Sequence, residues 1–296
     1  MPVSQALPVS VPATPRSIGW YAVLVAMLVV LTGGCATRAG LAEKDPAVLF
    51  DGADCLLVLP VDANRALIEL LVSGFLDSGD TSRLLDRTRR VLVAVYSDES
   101  ESSGWQARLF ASGDFPSSLS RFAFPPSKGW VRRSTKGLPA WYEAEQLAVS
   151  LPRSGQAFAV SGKRAGEGVQ DLLRKNASLD ASVVHPLPER LRQHQFFGDE
   201  ILVWTEKPGV LAASIVGPLI RLPLDSAELI LVPSADQYLL SARLVLSDER
   251  TVRAVRTVLL LAFGADFKSE GRVLFIEKVP VRTATLAETL SRFIYF

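Results

Sequence analysis

The sequence predicts an α+β fold made of two tandem βαββαβ units of the split-βαβ, ferredoxin-like type, with antiparallel sheets and helices on one face. Short aliphatic runs that stop at turn residues are typical of buried strands. Asp, Ser and Pro follow several of these runs, where they satisfy or complement the free N–H groups of a helix start. Four of the runs recur in the same order along the chain, which indicates an internal repeat.

The predicted strands form four pairs, with one member in each half of the chain. The third pair is the clearest, because both members read Ala-Arg-Leu-x-x-Ser. Two unrelated α+β segments that share ordinary hairpins are the alternative to a repeat. The pairs are Asp54–Val58 with Asp199–Val203, Val91–Ser97 with Leu229–Ser234, Ala107–Ser112 with Ala242–Ser247, and Ala157–Val160 with Val273–Ile276.

Predicted helices alternate with these strands, so that the order β, α, β, β, α, β, α occurs twice. In each half, one helix follows the paired serine, and the acidic residues Asp114 and Asp248 suit its first turn. The other predicted helices are Ala63–Phe75, Gly168–Lys175, Gly209–Val216 and Leu286–Phe293.

These elements divide the chain into a leader, a tether and two α+β units. The first unit carries an insertion that the second lacks, and this insertion is predicted to add a hairpin. Prolines break the apolar pattern between the units. The predicted parts are a signal peptide at 1–34, a lipidated N-terminus and tether at 35–51, a first unit at 52–176 with its insertion at 128–151, a junction at 177–197, and a second unit at 198–296.

The first residues of the chain are typical of an export signal. An uninterrupted apolar run from Ile18 to Leu31 follows a single positive charge, Arg16, and small residues lead from it to Cys35. The stretch Leu31-Thr-Gly-Gly-Cys35 resembles the lipobox of bacterial lipoproteins. That resemblance implies that the signal is cleaved before Cys35, that the thiol is diacylated and the new N-terminus acylated, and that the protein is anchored in a membrane of the cell envelope.

An uncleaved membrane anchor is the alternative to a lipid at Cys35. The apolar run from Ile18 to Gly34 has the minimum length, about 17 residues, that a spanning helix needs. Both interpretations place residues 36–296 outside the cytoplasm, because Arg16 is the only charge before the run and stays inside. With Cys35 lipidated, Cys55 has no partner for a disulfide, and its aliphatic surroundings predict a buried strand.

Charge and motifs exclude several classes of function. The formal net charge of the chain is +1, so no global field attracts nucleic acid. His185 and His194 lie in the polar junction with a spacing that suits neither a metal pair nor a catalytic triad, and we interpret both as surface residues. The glycines between Gly162 and Gly168 lack the spacing of a phosphate loop and favour a strand-to-helix turn. The sequence therefore predicts no metal and no cofactor.

Two sets of residues are candidates for binding a protein or another envelope component. In the insertion, aromatic and basic residues lie in a loop rich in glycine and proline, and exposed aromatic side chains are costly unless a partner covers them. In the second unit, arginines recur at steps of three along a predicted helix. The two sets are Trp130, Arg132, Arg133, Trp141 and Tyr142, and Arg250, Arg253 and Arg256.

The sequence thus favours a non-catalytic envelope lipoprotein that acts as a binding or scaffolding module. Membrane contact through the N-terminal lipid and a protein or envelope partner are expected. One alternative is an envelope hydrolase or transferase with a carboxylate-based site, because pairs of Asp and Glu have no spacing signature. Another is an accessory subunit of an envelope transport or assembly machine.

Overall fold

The computed structural model describes residues 45–73, 78–97, 105–117, 124–178, 185–192, 198–208 and 222–294. These residues contain twelve strands, and eight of them agree in position with the four predicted pairs. The strands are β1 (Cys55–Pro60), β2 (Thr88–Ser97), β3 (Trp105–Gly113), β4 (Val131–Arg133), β5 (Trp141–Ala144), β6 (Leu147–Arg153), β7 (Gln156–Ser161), β8 (Ile201–Thr205), β9 (Leu224–Ser234), β10 (Gln237–Leu246), β11 (Lys268–Glu270) and β12 (Val273–Arg282).

Besides the four helical residues 189–192, five α-helices lie in the same part of the chain. They are α1 (Arg65–Val72), α2 (Ser78–Arg87), α3 (Ala165–Ala177), α4 (Val252–Phe263) and α5 (Thr283–Ile294). The predictions for α1, α3 and α5 are confirmed within a few residues. Asp248 caps the 3-10 turn that leads into α4, because its carboxylate accepts from the Arg250 N–H at 2.9 Å. The helix predicted at 209–216 lies outside the described residues.

All twelve strands belong to one antiparallel sheet, in the order β11-β12-β10-β9-β8-β1-β2-β3-β7-β6-β5-β4. The halves meet where β1 pairs with β8. The α+β class is confirmed, whereas the prediction of split-βαβ units is wrong in strand order. Each half places its strands in chain order, as β1-β2-β3-β7 and β8-β9-β10-β12, since short connections such as β2 to β3 and β9 to β10 form hairpins between neighbours.

The sheet has two faces, which we name A and B. Face A carries Leu57 and face B carries Leu56, since successive residues of a strand point to opposite sides. Residues that pair between neighbouring strands share a face, so each face can be followed from strand to strand across the sheet. On face A, one row of paired side chains runs through Ile276, Ala242, Leu229, Val203, Leu57, Val93, Leu109, Ala159, Val149, Tyr142 and Arg132.

Helices cover both faces, which corrects the prediction that they lie on one. Helices α1, α2, α4 and α5 pack on face A, where they bury Ile68, Leu85, Leu259 and Leu286. Helix α3 packs on face B of the first half together with the 3-10 helix Pro46–Phe50. On face B of the second half, the described residues 185–192 reach only the strip beside β8, where Arg190 Nε donates to Glu228 Oε2 at 2.9 Å.

Two polar clusters join the halves where β1 and β8 meet. The fully buried Asn64 donates through Nδ2 to the carbonyls of Pro60 at 2.7 Å and Asp199 at 2.9 Å, and accepts from the Tyr238 hydroxyl at 2.9 Å. At the opposite end of β1, Asp54 accepts from the Ser97 N–H at 2.5 Å and lies 2.5 Å from Lys207 Nζ. Each cluster satisfies buried polar groups with residues from both halves.

Candidate functional surfaces

Residues 45–50, near the end of the predicted tether, pack on face B. Residues 1–44, which include Cys35, lie outside the described residues. Asp45 caps the 3-10 helix Pro46–Phe50 and contacts His185 Nε2, while His185 Nδ1 accepts from the Leu187 N–H at 3.0 Å. His185 is therefore largely buried, contrary to the prediction of a surface histidine. His194 is outside the described residues.

Cys55 lies in β1, as predicted. Burial, with a smaller contribution from Asp54, raises the pKa of its thiol to about 12. Both effects disfavour the thiolate, which is the nucleophilic form of cysteine. Cys55 is therefore a structural residue of the sheet with low reactivity.

The insertion builds the outer edge of the first half, because residues 128–151 supply β4, β5 and most of β6. The predicted exposed aromatic patch is wrong. Trp130, Trp141 and Tyr142 are only 7%, 3% and 3% exposed, and Phe124 packs against Trp130 and Tyr142 with ring centroids 4.8 and 4.7 Å away. The sequence indicated that these aromatics needed cover, and the chain itself supplies it. Phe124 covers Trp130 and Tyr142, and Trp141 packs into the hydrophobic core on face B.

The two arginines of the insertion are exposed on β4. Arg133 Nε donates to Glu143 Oε2 at 3.2 Å, and Trp141 Nε1 donates to Glu143 Oε1 at 2.7 Å. Arg132 points to face A beyond Tyr142, its partner in the register. A binding role for the arginines stays a prediction, whereas the aromatics are part of the core.

The predicted arginine ridge is brought together on one side of α4 and the turn before it. Arg250 and Arg253 are exposed. Arg256 is engaged by Asp266 in a two-pronged pair, with distances of 2.8 and 2.6 Å, and this contact raises the pKa of Arg256 and lowers that of Asp266. The ridge therefore offers Arg250 and Arg253 to a ligand more readily than Arg256.

The end of α4 exposes two leucines that the sequence reasoning missed. Leu260 is 42% and Leu261 is 81% exposed, whereas Val255 and Leu259 are buried against the sheet. Because residues advance by about 100° along a helix, Leu260 lies near the direction of Arg253 and Leu261 less than a quarter-turn from it. The signal was present in the unbroken apolar run from Val258 to Phe263, since one buried stripe accommodates only three to four residues in about two turns.

A polar cleft of about 260 Å³ lies on face B beside the start of α3. Arg108 stacks over the Tyr96 ring at 4.5 Å and pairs with Asp171 at 2.7 Å, while Glu167 pairs with Arg164. Both carboxylates of the cleft are thus paired with arginines, and the Arg108–Asp171 pair joins α3 to β3. The neighbouring glycines form the predicted strand-to-helix turn, in which Gly162 has a φ of +112° and α3 begins at Ala165.

The described residues contain no group of three or more His, Cys, Asp and Glu side chains that could hold a metal ion. None of their helices is long and apolar enough to cross a membrane.

A leader that resembles a lipoprotein signal, followed by an α+β domain on a single sheet, defines a class of envelope lipoproteins. The chain belongs to the family of the outer membrane-associated lipoprotein TP0453, whose family model matches residues 43–287. The match covers the domain after the leader, whose family could not be recognised from the sequence alone. It also confirms the predicted localisation, a lipid-anchored protein of the bacterial cell envelope, and places it with the outer membrane.

The similarity to known proteins extends over most of the chain. The outer membrane protein TP0453 of Treponema pallidum (strain Nichols) is 26% identical over 249 residues, which are 83% of this chain and 85% of that protein. Crystal form III of TP0453 superposes with a TM-score of 0.70 at 25% identity and covers 85% of this chain and 99% of that one. Crystal form I gives a TM-score of 0.66 at 25% identity, with 86% and 99% covered.

Proposed function

We propose that this lipoprotein is a non-catalytic binding and scaffolding module, held at the outer membrane by a lipid on Cys35, whose α4 surface lies against the lipid headgroups. The α4 surface consists of Arg250, Arg253, Leu260 and Leu261. The observation that carries the proposal is the exposure of Leu261, at 81%, on the same side of α4 as Arg253. Apolar side chains beside cationic ones are the pattern of a helix that lies in a membrane interface.

The binding free energies expected for these side chains suit a second contact, which orients a protein that the lipid already anchors. Full burial of a leucine side chain contributes about 1.5–3 kcal/mol, and an arginine near an anionic surface contributes about 1 kcal/mol. Such a contact is weak for a free protein. It becomes effective when the lipid already confines the protein to the membrane, because the second binding step is then intramolecular.

The division into two repeated units remains part of the proposal, with units at 52–176 and 198–296 and a junction at 177–197. Identical strand order in the halves supports it. The paired residues Val91 and Leu229 share face A, as do Ala107 and Ala242. The other two pairs need a shift of one residue, since Leu57 shares a face with Val203 and not with Leu202.

Lipid attachment is tested by Cys35→Ala in a bacterial host supplied with labelled palmitate. The unchanged protein should incorporate the label, and the variant should not. Membrane retention of both forms without any label would instead favour the uncleaved anchor.

The α4 contact is tested with a polarity-sensitive fluorophore on Leu261→Cys in the full lipoprotein. Cys55 should stay unlabelled because the pKa of its half-buried thiol is raised, which disfavours the reactive thiolate, and Cys35 carries the lipid. The matched control is Val232→Cys, which is 36% exposed on face B. Reconstitution in vesicles of phosphatidylethanolamine and phosphatidylglycerol should shift the emission of the α4 label to shorter wavelength and leave the control unchanged. A shift at the control alone, or at neither position, contradicts the proposed contact.

A further inference from the structure

The outer edge of the first half is strongly basic. Residues 126–137 contain Lys128, Arg132, Arg133 and Lys136 and no Asp or Glu, although the net charge of the whole chain is only +1. Apart from Trp130, every residue of this segment is exposed. We name residues 126–137 the basic edge.

Most of this charge is not neutralised by neighbouring side chains. Lys128, Arg132 and Lys136 form no ion pair within the described part of the chain. Arg133 shares Glu143 with the indole of Trp141, so its charge is only partly compensated. The basic edge therefore attracts anionic groups locally, even though the molecule as a whole does not.

The backbone of the basic edge is held in place from behind. Trp130 packs on Phe124, which stacks on Tyr142, so the residue before β4 is anchored in the core. Left-handed turns at Gly129 and Gly137, with φ of +82° and +84°, bound the extended segment on both sides. Strand β4, which lies between them, is three residues long and spans about 10 Å.

Strand β4 is the last strand of the sheet on this side among the described residues. It pairs with β5 along one side only. In an antiparallel pair, alternate residues direct their N–H and C=O groups towards the partner, so the others point away from the sheet. An exposed edge of this kind can pair with another extended chain.

We infer that β4 binds an extended acidic segment of a partner protein, which adds a strand to the sheet at the basic edge. The inference rests on the proposed binding function and names its site and the chemistry of its partner. Main-chain hydrogen bonds supply affinity in this mode of recognition, and side chains supply specificity. The basic side chains repel cationic strands and leave a neutral strand without ion pairs, so that acidic segments are selected.

The opposite edge of the sheet provides the comparison. Strand β11 is also three residues long and fully exposed, but it carries Lys268 and Glu270 in alternation. Opposite charges in one short strand favour neither an acidic nor a basic partner. A charge reversal there is a matched control for one at the basic edge.

The test uses the full lipoprotein in neutral detergent micelles and a labelled peptide of alternating glutamate and threonine. Fluorescence anisotropy measures Kd for this peptide and for the same peptide with N-methyl groups on its threonines, which block main-chain pairing. We expect saturable binding of the first peptide, and binding weaker by about tenfold or more for the second, since each lost hydrogen bond costs about 1 kcal/mol. The double variant Arg132→Glu with Lys136→Glu should weaken binding by at least about tenfold, and Lys268→Glu should leave it unchanged.

Three results would overturn the inference: no saturable binding of the acidic peptide, equal binding of the N-methylated peptide, or equal loss of binding in Lys268→Glu. Near-ultraviolet circular dichroism controls for folding, which the exposed double variant should preserve. The membrane contact of α4 is measured by the Leu261→Cys label and involves neither β4 nor the peptide. Failure at the basic edge with a normal α4 signal therefore rejects this inference alone, and the reverse result rejects the proposed contact with lipid.

Discussion

The two halves of the molecule share one strand order but differ in how many faces of the sheet they cover. In the first half, β2, β3 and β7 bury side chains on both faces. In the second half, β10 and β12 alternate between buried residues on face A and half-exposed ones on face B. An antiparallel sheet tolerates water on one side, and among the described residues only those of the second half make use of this.

The difference depends on where the last helix of each half goes. After β7, the turn at Gly162 directs α3 onto face B, where the absence of a side chain at Gly168 permits close packing, since an added Cβ would lie 2.7 Å from Val160 Cγ1. After β12, helix α5 begins at once, and Thr283 is held by hydrogen bonds of its N–H and hydroxyl to the Asp236 carbonyl at 3.2 and 2.8 Å. Helix α5 therefore stays on face A.

Strand order therefore does not determine the number of layers. A few residues in one connection decide whether a half is closed or open. The closed half carries the rigid basic edge, and the open half carries the exposed end of α4. Both proposed surfaces thus lie at the two ends of a single sheet, joined through β1 and β8.

The largest change in stability should come from a buried leucine on face B of the first half, compared with an isoleucine on the same face of the second half. Leu92 in β2 is 1% exposed, and Ile230 in β9, at the corresponding position, is half-buried. We expect Leu92→Ala to lower the free energy of unfolding by about 3 kcal/mol and Ile230→Ala by about 1 kcal/mol, because only the first leaves a closed cavity. Urea denaturation followed by circular dichroism measures both.

Buried leucines on face A control for this difference. Leu109 and Leu244 occupy corresponding positions of β3 and β10 and are both buried. Their alanine variants should lose similar free energies of unfolding. Equal losses for the face B pair as well would mean that the second half is closed by residues outside the described ones.

The next effect concerns the cluster that joins the halves. Asn64→Ala removes three hydrogen bonds and leaves two carbonyls and a hydroxyl without this partner, so we expect a loss of about 2–3 kcal/mol. Tyr238→Phe removes one of the three and should cost about 1 kcal/mol. Denaturation of Asn176→Ala, at a half-buried position in the last turn of α3, serves as the control. A loss from Asn64→Ala no larger than from the control would show that the joint is dispensable.

The smallest effect is a dependence on pH. Burial raises the pKa of Asp54, but hydrogen bonds from Lys207 and Ser97 outweigh it, and the net direction is downward. A carboxyl with a lowered folded pKa stabilises the fold above its unfolded pKa of about 3.9 and loses this contribution as pH falls through the folded value. Asp54→Asn should therefore cost about 1 kcal/mol at neutral pH and progressively less below about pH 3.9. A constant cost of Asp54→Asn at every pH would contradict the assignment.

Much of the fold could be predicted from local pattern. Aliphatic runs located β1, β2, β3 and β7 and their counterparts, and helix periodicity located α1, α3 and α5, because both signals lie within a few residues. The pairing of β1 with β8 could not be predicted, since it joins strands that are far apart in the chain. The face chosen by α3 depends on close contact between Gly168 and Val160, which no periodicity records.

The candidate surfaces were predictable only in part. The arginines of β4 and α4 were identified from composition and spacing. The insertion aromatics were placed on the surface because their cover comes from Phe124 and from face B, and neither contact is visible in the local sequence. Leu261 was missed because a long apolar run predicts a buried helix until the width of its buried stripe is known.

Hydrogen exchange of the full lipoprotein, resolved by peptide mass spectrometry, tests the difference between the halves most directly. Local stability follows burial, so amides of β3, covered on both faces, should exchange more slowly than those of β10, covered on one, by about tenfold or more. Strands β1 and β8 should be protected alike, because they pair with each other. Equal protection of β3 and β10, or faster exchange of β3, would contradict a closed first half and an open second half.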